Sequence, residues 1–292
     1  MSNLFGKYHK ISHLSSLFFP TSVLTYRSSG SIFVPMAVFP IYRDFLRFLD
    51  ALSEGELPWE AYRRYYLNLH RSFLSACWRA FGIDEGALKA RVERIKRGDY
   101  GPLEASVKVE PPEVTVTKAL EGCFRLVPPP EEPEVYLMVG FFSPDAFVIE
   151  AGGGPKMGFG LERFRDFGLL GLLTAHEYAH WFRRIRLGFP KDGDTKEKLI
   201  SEGLAVLFSR HAFPELPPYK LLRLPRARWN WCVENEVMLW EKVLDGTIFE
   251  DELPPRAWTY IAYRLAERFA SEEGYGLPDL LTVPCEDVLS CK

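Results

Sequence analysis

Two histidines four residues apart, with a glutamate directly after the first, stand in the second half of this 292-residue chain: His176-Glu177-Tyr178-Ala179-His180, inside LLGLLTAHEYAHWFRRIRLG. On an α-helix, positions i and i+4 share a face, with Cβ atoms about 5–6 Å apart. Two imidazoles so placed converge on one metal ion, and their nitrogens suit zinc at about 2.0–2.1 Å. Glu177 falls about 100° round the helix from His176. There it is close to the metal without ligating it, placed to take a proton from an activated water. Chance is the poorer account of the pattern, because the chain holds only six histidines. Two neighbouring imidazoles on a buried helix would in any case need polar partners.

A third donor tests the idea. In the metzincin pattern a glycine follows the second histidine by three positions and a histidine by six; Arg183 and Arg186 stand there and exclude that class. The other common solution is a glutamate on a following helix. KEKLISEGLAVLFSR (196–210) is a helix candidate that carries Glu202, 22 residues after His180. Ile200, Leu204, Ala205 and Leu207 set Glu202 against an apolar face, where an ionised carboxylate needs a cation. Gly203 costs about 1 kcal/mol in a helix interior, which makes sense where two helices approach closely.

HEYAH followed by SEGLA resembles the predicted zinc-dependent proteases of the gluzincin type, a family catalogued as a domain of unknown function. The resemblance covers roughly residues 130–292. Tyr260-Ile-Ala-Tyr263-Arg-Leu is similar to that family's Tyr-x-Gly-Tyr helix, with Ala262 in place of the glycine, and LPDLLTVPCEDVL resembles its closing segment. It implies one zinc per chain held by His176, His180 and Glu202, with Glu177 as general base in peptide-bond hydrolysis. The implied fold is a zincin: a small sheet, its edge strand over the cleft, packed on the HExxH helix. The resemblance also puts the helix of Tyr260 and Tyr263 near the site, so either is a candidate oxyanion donor, Tyr260 first; a core tyrosine is the alternative for each. Thermolysin-like gluzincins carry an Asp four residues after the ligand glutamate, whereas Val206 stands here. The partner that orients His176 or His180 is therefore not legible.

Two rivals come from other classes. Glu121-Gly122-Cys123 resembles the Glu-Gly-Cys motif of peptide deformylases, in which the cysteine is the third ligand; Ala179 in place of that family's Asp, and the length of the chain, count against it. The second is a zinc-binding structural or regulatory protein without catalysis. Glu177 and an open fourth coordination position count against that one.

The elements that must position these residues follow from periodicity and breakers. Leu169, Leu170, Leu172 and Leu173 fit a helix buried beneath the site. From Ile41, Phe45, Leu46, Leu49 and Leu52 recur at helical spacing, closed by Gly55 and Pro58. Trp59–Phe81 is predicted as one long amphipathic helix with an aromatic face, and His70 within it as a structural residue. Residues 85–97 read as a basic, solvated helix. PPPEEPE at 128–134 is the best linker. Beyond it, 135–142 and 146–151 read as strands of an antiparallel hairpin turned at Ser143-Pro144-Asp145. GGGPKMG (152–158) is predicted as a flexible loop, since no Gly-Lys-Ser/Thr opens a helix there. From Leu161 to about Phe269 the chain is expected to be mostly helical, with a helix over 254–270.

The expected class is α+β, predominantly helical: an N-terminal helical region (36–130) and a zincin-like catalytic domain (131–292). Residues 1–35 are expected to be poorly ordered. Leu14–Phe19 is too short for a signal-peptide core, and Met36 opens a cleaner globular sequence. With 36 basic against 39 acidic residues, no overall basic field exists to hold a nucleic acid. No run approaches the roughly 18 apolar residues of a membrane span. The five cysteines (Cys77, Cys123, Cys232, Cys285, Cys291) form no CxxC pair, which points to a reducing compartment and a cytoplasmic location. The expected partner is a peptide or protein substrate.

Overall fold

The computed structural model describes residues 36–191, 194–249 and 253–290. The expectation for residues 1–35 lies outside them. The described residues are α+β and mostly helical, with one four-stranded sheet.

Strand β1 (Ala37–Phe39) leads into helix α1 (Tyr42–Ser53), which buries Phe45, Phe48 and Leu49. The predicted long helix over 59–81 is interrupted. Pro58–Tyr62 passes into a wide π turn at Arg63–Leu67, the chain bends, and α2 (Arg71–Ala80) begins after His70. Three tertiary bonds accompany the break. Tyr66 Oη accepts from Val139 N at 3.1 Å and donates to Val139 O at 3.0 Å, while His70 Nε2 lies 2.8 Å from Asp44 Oδ2. His70 is therefore structural. The basic helix is shorter than expected, Glu85–Val92, capped by Asp84 at Ala87 N. Helix α3 (Pro112–Leu126) follows, with its proline in the first turn.

The sheet corrects the predicted hairpin. Strands β2 (Glu134–Met138), β3 (Ala146–Ala151) and β4 (Gly154–Gly160) join β1 in the order β1-β2-β4-β3. β2 does not pair with β3; it runs parallel to both β1 and β4. The antiparallel hairpin is β3–β4, closed at the Ala151↔Gly154 pair. Gly152 (φ 61°) and Gly153 (φ 87°) are both left-handed, as a two-residue type I′ turn requires. Residues 154–158, predicted as a loop, are thus strand; GPKMGFG carries too few side chains to display the period-2 alternation. Residues 127–133 connect α3 to β2, so β1 from before that segment shares a sheet with β2 from after it.

Helix α4 (Leu170–Leu187) packs against β3, β4, α3 and α5 (Thr195–Ala212). Leu170, Leu172 and Leu173 are buried as predicted, whereas Leu169 is exposed. α6 (Arg226–Glu234), α7 (Glu236–Leu244) and α8 (Ala257–Glu273) complete the helical half. One hydrophobic core runs from Met36 to Val288. No helix of the described residues is long and apolar enough to cross a membrane.

Candidate metal centre

The HExxH segment occupies the middle of α4, and three residues of that helix, Tyr178, Trp181 and Arg183, fasten it to its surroundings. Tyr178 donates to Val127 O at 2.7 Å, Trp181 Nε1 to Pro155 O at 3.1 Å, and the buried Arg183 guanidinium to Leu281 O and Val283 O, each at 3.0 Å. Arg183 also grips both oxygens of Glu197 on α5, at 2.8 and 2.9 Å. Rotation of α4 would break all of these bonds, so the face carrying His176 and His180 is fixed towards α5.

α5 brings Glu202 to that face. His176 Nε2 and His180 Nε2 lie 3.1 Å apart; Glu202 Oε2 is 3.5 Å from the first and Oε1 3.3 Å from the second. Donors bound at about 2.0–2.1 Å in tetrahedral geometry are about 3.3–3.4 Å from one another, so the triangle already has the size of a coordination site. Among the described residues this is the one group of His, Cys, Asp and Glu side chains able to hold a metal ion. Cys123 is outside it, buried on α3.

No known family model, curated protein or solved structure matches the chain. The site must be read from its own chemistry.

The charge states suit a cation. Burial alone would raise the Glu202 carboxyl, but the two imidazoles outweigh it and hold it well below the usual carboxylate range. Burial lowers His180, keeping its Nε2 lone pair available; burial also acts against protonated His176, where the Glu202 carboxylate prevails and raises it. Glu177 is 6% exposed, and burial pushes its carboxyl up to about 7, with His176 opposing and the charges of Glu202 and Asp145 adding. A group with that affinity exchanges protons readily near neutrality.

The histidine partner that the sequence did not reveal is Ser201. His180 Nδ1 lies 2.9 Å from Ser201 Oγ. With Nε2 turned to the metal position, Nδ1 carries the proton and donates to the hydroxyl, which fixes tautomer and ring orientation together. Val206, where the family resemblance expects an acid, is buried and apolar.

Tyr260 and Tyr263 are buried on α8, and their hydroxyls are engaged outside the donor triangle. Tyr260 donates to Glu236 Oε2 at 2.6 Å, and Tyr263 to Glu267 Oε1 at 2.8 Å while accepting from Arg210. Two arginines that sequence reading missed border the centre instead. Arg256 precedes α8 with φ 66° and Arg223 has φ 54°. Left-handed backbone in a non-glycine residue costs of order 1–3 kcal/mol and gathers at functional sites. Arg223 pairs with Asp145. Arg256, its pKa lowered by burial, lies within electrostatic reach of Arg223, Glu202, Asp145 and His176. Among the described residues its guanidinium makes no hydrogen bond or ion pair. Nothing in the local sequence marks either arginine, since the signal is a backbone conformation.

Proposed function

We propose that the chain is a zinc-dependent peptidase of the gluzincin type, a zincin that hydrolyses peptide bonds. The observation that carries this is the near-equilateral triangle of two imidazole nitrogens and one carboxylate, with an unligated, protonation-ready glutamate beside it on the same helix. His176, His180 and Glu202 would hold one zinc ion per chain. A bound zinc supplies Lewis acidity towards water and towards a carbonyl oxygen.

The chain's own groups do the rest. Glu177 takes a proton from the attacking water and returns it to the leaving amine. Ser201 keeps His180 in the orientation that presents Nε2. Arg256 offers an uncommitted positive charge to the oxyanion, where preorganised charge contributes most; Tyr260 and Tyr263 would have to leave Glu236 and Glu267 to serve there.

The test is metal analysis of the purified protein combined with cleavage of an unbiased peptide library, with and without chelator. Glu177→Gln is expected to retain zinc and lose activity by about 10²–10⁴-fold. A fully zinc-loaded protein that cleaves nothing in the library would assign the metal a structural role and overturn the reading.

A further inference from the structure

Beside two of the metal donors a cleft of about 480 Å³ opens, lined by His180 and Glu202 together with Arg184, Lys191, Asp194 and Lys198. Three of these side chains are cationic, and the nearby carboxylates are already engaged. Asp194 caps α5 by accepting from Glu197 N at 2.9 Å. Glu197 is divided between two guanidiniums, bonded twice to Arg183 and once, at 3.2 Å, to Arg184. Glu202 faces the two imidazoles. One carboxylate between two arginines leaves a positive charge unmatched on the Arg184 wall.

Lys198 adds a second. Its ammonium sits 5.1 Å from the centroids of both the Phe249 and Trp258 rings. Such contacts fix a cation in place without neutralising it. Among the described residues no carboxylate pairs with Lys198 or with Lys191. The cleft is therefore a positioned, under-compensated cationic wall opening directly on the candidate metal centre.

We propose that this cleft is a carboxylate-binding subsite for the peptide substrate, seating an acidic side chain or a free C-terminal carboxylate next to the bond to be cut. The proposal rests on the peptidase reading for its substrate, and on the cleft's charge and position for its specificity. One charge-assisted hydrogen bond in a half-exposed cleft corresponds to a preference of about tenfold. That preference weakens as salt screens the pair.

The experiment measures binding as well as turnover. Zinc-loaded Glu177→Gln protein is titrated, by fluorescence anisotropy, with N-acetylated peptide pools fixed as Glu or Gln at each position, each with an amidated or a free C-terminus. The expected result is about tenfold tighter binding of Glu pools at one position, or of free-carboxylate pools over amides; which of the two occurs identifies the carboxylate's source. The ratio is expected to fall towards unity in the same protein carrying Lys198→Met and to invert with Lys198→Glu, while the melting temperature stays close to that of the parent because Lys198 is exposed. Wild-type cleavage of the same pools keeps the two ideas apart. Cleavage with no Glu/Gln or carboxylate/amide discrimination in binding overturns the subsite and leaves the peptidase. Charge-selective binding without cleavage supports the subsite and overturns the peptidase. Discrimination that survives Lys198→Glu unchanged overturns the assignment to this cleft.

Discussion

Gly203 faces the backbone of Ala262: a Cβ on Gly203 would stand 2.1 Å from the Ala262 carbonyl oxygen and 2.6 Å from its carbon. The glycine after Glu202 is thus the point at which α8 presses onto α5. Gly203→Ala would gain about 1 kcal/mol of helix propensity but force two backbones apart. Overpacking of this kind costs about 1–3 kcal/mol and more against rigid atoms. Net destabilisation is expected, and, on the proposed reading, weaker metal binding because Glu202 is displaced with the helix. Chemical denaturation and chelator competition measure the two effects, and an alanine variant as stable as wild type would show that the helices separate freely.

Ser201→Ala removes the partner of His180 Nδ1 without touching a donor. Loss of such an orienting bond costs about 10–100-fold in metal affinity. Competition with a chromophoric chelator reads the change directly, and an unaltered affinity would mean that packing alone orients the ring.

Tyr260→Phe separates two roles. Its hydroxyl is bonded to Glu236, which Arg264 also holds at 3.0 Å. Deleting it is expected to lower stability by about 0.5–1.5 kcal/mol while kcat stays within about threefold. A hundredfold fall in kcat at constant melting temperature would instead make this phenol the oxyanion donor.

Asp44 makes part of the stability pH-dependent. Burial alone would raise its carboxyl, but His70 and Arg47 outweigh burial and hold it below the usual carboxylate range. With the folded pKa depressed, the stabilisation is present above the unfolded value of about 3.9 and is lost as pH falls through the folded one. Asp44→Asn is expected to be less stable than wild type near neutrality, with the gap in urea midpoint closing below about pH 4. A gap independent of pH would locate the effect in packing.

The convergence of the donor group was more legible than the pairing of the strands. His176 and His180 could be set on one face because helical spacing is fixed, and Glu202 was found because its apolar neighbours leave its carboxylate needing a cation. Ser201 could not, since a serine beside a glutamate says nothing until α5 is set against α4. Two strands were readable, although the one expected over 135–142 ends at Met138, yet their pairing was not: Ser143-Pro144-Asp145 looked like the turn, while Gly152-Gly153 supplied the left-handed pair that closes the hairpin. Trp59–Phe81 showed the right amphipathic pattern, but periodicity carries no sign of the bond from Tyr66 to Val139 that accompanies its division. Arg223 and Arg256 were invisible because their distinguishing property is φ.

The sheet also sets an order of assembly. β3 and β4 are joined by two residues, and a hairpin of that kind closes in about 1–10 μs. β1 and β2 pair in parallel from segments separated by most of the helical region, so their contact forms only after a long loop has closed. Contacts of such high sequence separation slow folding. A nascent chain released after α3 would hold β1 with nowhere to dock, its backbone N–H and C=O groups unpaired until residues 134–138 arrive.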